Sequence, residues 1–172
     1  MRNQIVTIVF QGIVFVAFLG ACLYLYQVYG DEIKSVFVPD ESAVLFIDTL
    51  ALTVTVADDP RERAQGLSNT DSLGELEGKL FIFDSAGYPG MWMKDMRYPI
   101  DIIFIGNDLR IVDIAENVTP ETYPLTFSPR EPARFVLETN AYFVKSFNIT
   151  RGQTVVIPAR YLPADIRIEE LQ

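Results

Sequence analysis

The sequence predicts an α+β domain, a mostly antiparallel sheet with two short helices, preceded by one transmembrane helix. Three observations predict it. An uncharged run, Ile5 to Tyr29, lies near the start of the chain. Runs of β-branched and aromatic residues bounded by Gly, Pro, Asn and Asp then recur at strand length. Only two places, at Asp59 and at Asn140, carry the chemistry of a helix start.

The first run has the length to cross a bilayer, because about 25 helical residues span roughly 37 Å. Arg2 precedes it and Asp31-Glu32 follow, so the positive-inside bias keeps the N-terminus cytoplasmic and turns the domain outward. The expected organisation is an anchor over 1–29, a linker over 30–42, a domain over 43–158 and an acidic tail over 159–172. Leu19-Gly20-Ala21-Cys22 offers the alternative of a lipoprotein cleavage box, but Leu23-Tyr24-Leu25-Tyr26 continues the apolar run where a mature lipoprotein turns polar.

Ala43 to Ile47 and Leu52 to Val56 open the domain as strands, the second alternating apolar and hydroxyl residues as a half-buried strand does. Asp59-Pro60-Arg61-Glu62 pairs a capping residue with proline at the first helical position and glutamate at the third, predicting a short helix to Gln65 that Gly66 stops. Leu80 to Phe83, Gly90 to Met96, Asp101 to Ile105 and Leu109 to Ala115 follow as strands, with Gly106-Asn107-Asp108 turning the last two into a hairpin. Pro120, Pro124, Pro129 and Pro132 make Glu116 to Pro132 a surface loop, either a binding loop or an ordered crossover. Arg134 to Glu138 is a strand, Asn140 caps a helix with Phe143 and Phe147 on one face, and Thr154 to Ile157 closes the sheet.

Composition excludes several chemistries. Net charge is -9 and no segment clusters Lys and Arg, so nucleic acid is not an expected partner. Histidine is absent, which removes His-based triads and dyads and imidazole-held zinc. Cys22 is the single cysteine, so neither a disulfide nor a thiolate cluster is expected in the domain, and no cofactor or metal is expected.

Within the predicted strand Gly90 to Met96, Trp92 and Lys94 share a face. Together they could stack on a ring or sugar and hold an anionic group, or else Trp92 fills the core beneath the Lys94 stem. Asp101 and Glu138 sit at the ends of apolar strands. If they converge they could act as acid and base or as oxygen ligands for a hard cation, and if not they are ion-paired with Lys94, Arg63 or Arg134.

Arg63-x-x-Gly66-Leu67, Gly78-Lys79-Leu80-Phe81-Ile82-Phe83, Trp92-Met93-Lys94, Pro99-Ile100-Asp101-Ile102-Ile103-Phe104-Ile105, Asn117 with Pro120, and Val136-Leu137-Glu138 with Gly152 together resemble the domain-of-unknown-function family 192. The resemblance covers about Leu52 to Pro158. It implies a curled, open barrel-like sheet of mostly antiparallel strands with short helices packed on it, and a characteristic residue set of Arg63, Trp92, Lys94, Asp101 and Glu138. It implies no reaction. The chain departs from the family in three places: Pro120 to Pro124 lacks a cysteine pair, Asp95 replaces an asparagine and Ile100 a leucine.

Three functions follow as expectations. The first is a membrane-anchored extracytoplasmic module that binds a small ligand, a glycan or an envelope polymer through Trp92, Lys94, Asp101, Arg63, Glu138 and the 116–132 loop. The second is a hydrolase or transferase using Asp101 with Glu138, stabilised by Lys94. The third is a structural accessory subunit of a membrane complex, with an apolar contact patch and no pocket at Trp92. Lack of histidine and thiol chemistry suits binding better than turnover.

Overall fold

The computed structural model describes residues 42–166. Nine strands occur among them: β1 Ser42–Ile47, β2 Leu50–Ala57, β3 Glu77–Gly87, β4 Met91–Trp92, β5 Ile100–Ile105, β6 Ile111–Val118, β7 Thr126–Phe127, β8 Ala133–Asn140 and β9 Val155–Val156. Two short helices, α1 Pro60–Gln65 and α2 Phe143–Ser146, accompany them. Seven strands form one sheet in the order β6-β5-β8-β3-β2-β1-β9, while β4 and β7 pair separately. All neighbours are antiparallel except β2 and β3. The result is an α+β fold with a curled, open half-barrel sheet.

Burial follows the alternation of the strands. β1 and β2 bury every second residue, so they cover a core on one side only. Inward-facing Leu45, Ile47, Leu52, Val54, Leu80, Ile103, Ile105, Phe135 and Leu137 fill the concave side, and Phe143 and Val144 of α2 pack with them. β5 is buried at every position. Its other face, with Phe81 of β3 and Val136 of β8, is covered by Leu67, Met91 and Met93 from the segments after α1 and around β4. A strand covered on both faces needs a continuous apolar run, which is why Ile100 to Ile105 reads as one apart from Asp101.

Gly78 lies on β3 opposite Thr139 of β8. A Cβ there would sit 2.8 Å from the Glu138 carbonyl oxygen, so only glycine allows this register. The opposite ends of the sheet also meet: Ile111 N donates to Gln153 O (3.0 Å), Gly152 N to Ile111 O (2.8 Å) and Val155 N to Leu109 O (2.8 Å).

Several expectations need correction. No helix among the described residues is long and apolar enough to cross a membrane; the longer α-helix has 6 residues, where a span takes about 20. The preceding transmembrane helix is not found among the described residues, and the membrane partner, single-pass topology and extracytoplasmic placement built on it are not supported. The segment on which that expectation fell, 1–29, and Cys22 within it lie outside the described residues. The 159–172 tail begins as part of the fold: Ala159–Tyr161 forms a 3-10 turn, Asp165 binds Arg134 and Ile166 is buried.

Two elements differ in local cause. The strand expected over Gly90 to Met96 is only Met91–Trp92, because the chain turns at Asp95 with φ 56°. The second helix is not capped by Asn140, which ends β8 and donates from Nδ2 to Leu73 O and Gly74 O (both 2.9 Å). That helix starts after Tyr142 in the left-handed region, and Phe143 and Phe147 do share a face, their rings 4.8 Å apart.

Candidate functional site

A cavity of about 210 Å3 lies between the outer face of the sheet and its cover. Phe81 and Glu138 form the floor from β3 and β8, Arg63 to Ser68 one wall, and Gly90, Met91, Trp92 and Met96 the roof. Local sequence places each wall. Asp59 caps α1 by accepting from Arg61 N (2.7 Å) and Glu62 N (2.8 Å), and Glu62 returns to the Asp59 N–H, a complete capping box. Gly66 ends the helix at φ 50°, and a Cβ there would come within 3.2 Å of the Phe81 ring that floors the cavity. Ser68 Oγ donates to Lys94 O (2.8 Å) and Asn69 N to Asp95 O (2.9 Å), which ties this wall to the roof.

Of the five residues expected to form the site, the cavity gathers three: Arg63, Trp92 and Glu138. Arg63 reaches across α1 to donate to Asp58 O and to Ile82 O (2.8 Å), and its guanidinium stands over the Phe83 ring at 5.5 Å. Trp92 is 48% exposed, so it roofs the cavity rather than filling the core. Lys94 is exposed and lies past the end of β4, so it does not share a strand face with Trp92.

Asp101 and Glu138 do not converge. In the β5/β8 ladder Asp101 pairs with Thr139 and Ile102 with Glu138, and neighbours in register point to the same side. Asp101 therefore faces the concave interior with Thr139, while Glu138 faces the cavity with Ile102. One acid–base pair, or one cation, cannot be shared through the sheet. Nor is either ion-paired with Lys94, Arg63 or Arg134. Arg134 instead holds Phe83 O, Asp84 O, Asn107 and Asp165.

Asp101 is committed to the fold. It is wholly buried, and its carboxylate accepts from Asn117 N (2.7 Å) and Val144 N (2.9 Å). Glu138 is the opposite case. It is 3% exposed, no described residue hydrogen-bonds its carboxyl, and among the described residues no side-chain polar atom is fully sealed from space without a partner. Its oxygens are therefore open to the cavity it lines. Burial pushes its carboxyl up to about 8, against the opposing pull of the Lys79 charge across the β3/β8 ladder. Burial also pushes the Tyr98 phenol up, while its hydrogen bond with Thr70 (2.8 Å) pulls it down and the Glu138 charge raises it further.

The proline-rich segment contributes to the roof. Its residues Thr126–Phe127 pair with Met91–Trp92, and a 3-10 turn at Pro120–Thr122 precedes them. Arg130 anchors it, donating to both oxygens of buried Asp113 (2.7 to 3.2 Å), with its own backbone N–H adding a bond of 2.8 Å. The Arg130 hydrogen bonds hold the Asp113 carboxyl well below the usual range, so this contribution is present above the unfolded carboxylate range and is lost as pH falls through the depressed value. Arg130→Ala is expected to speed amide exchange across Thr119 to Arg130, and through β7 at Met91 and Trp92, without unfolding the barrel; unchanged protection there would show that the pair does not hold the roof.

Sequence reading missed Phe81, Phe83, Gly66, Ser68, Met91 and Met96 as cavity walls. Gly66 was legible as a helix stop and Phe81 as a strand residue, but nothing local shows that they meet.

A model of the domain-of-unknown-function family 192, described as uncharacterised ACR, matches residues 43–157. A proposed transcription regulator from Sinorhizobium meliloti 1021 is similar in structure, with 35% identity and a TM-score of 0.61 over 67% of this chain and 91% of that one. A protein of unknown function from Novosphingobium aromaticivorans DSM 12444 is similar at 28% identity and a TM-score of 0.60, over 66% of this chain and 82% of that one. No curated protein matches the chain.

Proposed function

The chain belongs to the domain-of-unknown-function family 192, and from that premise and the cavity beneath Trp92 we propose that the domain binds a small ligand between its sheet and the cover. The observation that carries this is Glu138. No described protein group hydrogen-bonds this nearly buried carboxyl, and a purely structural wall would be better served by an apolar side chain. Its oxygens are left free for a ligand in the cavity it lines.

Size limits the ligand. A cavity of about 210 Å3 suits a small molecule. The membrane-anchored envelope reading is not carried forward, because no helix among the described residues is long and apolar enough to cross a membrane. A cavity at Trp92 also counts against a subunit that has none. The Sinorhizobium relative's description as a proposed transcription regulator fits a domain that senses a ligand better than one that contacts DNA, since a net charge of -9 repels phosphate.

A thermal-shift screen of the full chain against small metabolites tests the proposal. A ligand at about 100 times its Kd should stabilise by about 2.7 kcal/mol. Trp92→Ala is expected to abolish that shift while changing unliganded stability by under about 1 kcal/mol, because the indole is half-exposed. A shift that survives Trp92→Ala would place binding elsewhere.

A further inference from the structure

The ribbon that roofs the cavity carries a bare spot beside its indole. Met91 pairs with Phe127 and Trp92 with Thr126, so Gly90 and Trp92 follow each other along one face of the ribbon, opposite Ser128 and Thr126. All four residues are exposed, and no described residue hydrogen-bonds the Thr126 or Ser128 hydroxyl. Two glycines line the cavity, Gly66 and Gly90. Gly66 is required by its backbone angle and by the Phe81 ring. Gly90 is required by neither. Its φ lies outside the left-handed region, and a Cβ there would meet Ser128 Oγ and Thr126 Cβ at 3.6 Å, an ordinary contact. A glycine with no such cause costs stability relative to alanine, and it marks a place where something else comes close to the backbone.

Charge limits what that is. Lys79 stands opposite Glu138 in the β3/β8 register and its charge already acts on that carboxyl. An added cation is opposed by Lys79 and an added anion by Glu138. A hydroxyl is opposed by neither, since it donates to a carboxylate and accepts from a carboxylic acid. A purely aromatic ring would stack on Trp92 as well, but it would leave Glu138, Thr126 and Ser128 without partners.

We infer that the ligand is a neutral sugar ring of the pyranose type, its apolar C–H face against the Trp92 indole, its rim over the bare Gly90 backbone and a hydroxyl turned to Glu138. This rests on the binding reading above and names its ligand class. Within it Gly90 is the residue that selects a flat-faced ring, because a side chain there would lift the ring off the indole. Thr126 and Ser128 offer hydroxyls to the rim that passes them.

The protein carries its own reporter, because Trp92 is its single tryptophan. The test is titration of the full chain with glucose, galactose, mannose and their N-acetylamino forms, read by Trp92 emission and its quenching by acrylamide. Sorbitol, glucosamine and glucuronate serve as open-chain, cationic and anionic comparisons. At least one neutral sugar is expected to shift the emission to the blue and shield the indole, with the three comparisons bound about tenfold more weakly. Gly90→Ala should weaken that sugar by about tenfold while melting no lower than the wild type, since the methyl fits the fold. Glu138→Leu should weaken it as well. If no neutral sugar alters Trp92 emission, if any comparison binds as well as the ring, or if Gly90→Ala or Glu138→Leu binds like the wild type, the sugar assignment is overturned. A charged or open-chain metabolite that emerges from the thermal-shift screen and is lost in Trp92→Ala would overturn this inference and leave the binding site standing.

Discussion

Glu138→Gln is expected to make the unliganded protein more resistant to alkaline pH. The wild-type carboxyl is raised to about 8 by burial from an unfolded value near 4.5. A group raised in this way contributes fully below its unfolded value and loses that contribution as pH rises through the folded one. Between about pH 5 and pH 9 the wild-type protein should therefore lose on the order of 4 kcal/mol, which is a large part of the stability of an ordinary domain. Glutamine does not titrate, so the variant should keep what the wild type loses. Near pH 5 the two should be close, since both then bury a neutral group. The absence of histidine makes the experiment clean, because no imidazole titrates in that window. Urea unfolding at several pH values reads the difference directly, and parallel profiles for the two proteins would show that Glu138 is already ionised or paired in the empty site.

Asp101→Ala should have the opposite sign. Two residues of β6, Glu116 and Asn117, bulge where Ile100 pairs with Val118 and Ile102 with Ala115. Asn117 sits there at φ 50° with its N–H on one Asp101 oxygen, while Val144, in the first turn of α2, gives its N–H to the other. Removing the carboxylate strands two backbone donors at once, and bonds to a charged acceptor are worth about 1.5 to 3 kcal/mol each, so a loss of about 3 to 6 kcal/mol is expected. The amides of Asn117 and Val144 should lose exchange protection before the central strands do. A loss below about 1 kcal/mol would mean that the bulge and helix hold themselves without it.

These opposed outcomes show what could be read from the sequence and what could not. That Asp101 and Glu138 are unusual was legible, because each interrupts an apolar run. Which way each points was not, since the register of β5 against β8 is set by partners far along the chain. The capping box at Asp59 was readable because all its atoms lie within four residues. The α2 start was misplaced for the converse reason: its first-turn donor is satisfied by Asp101, 43 residues away. The parallel β2/β3 pair leaves no local mark, and β4 was overextended because a left-handed turn at Asp95 is invisible to a pattern of alternation. Arg63, Trp92 and Glu138 could be named in advance from resemblance, but the cavity that joins them depends on Gly66, Phe81 and Met91 arriving from three separate segments.

The contacts that join Leu109 and Ile111 to Gly152, Gln153 and Val155 have a bearing on solubility. β6 and β9 are the outermost strands of the seven-stranded sheet, and an outermost strand with free N–H and C=O groups is a template for another chain. Here the two rims spend those groups on each other at one end. A second copy therefore finds little backbone there to extend, and crowding should not readily turn these curled sheets into a continuous stack.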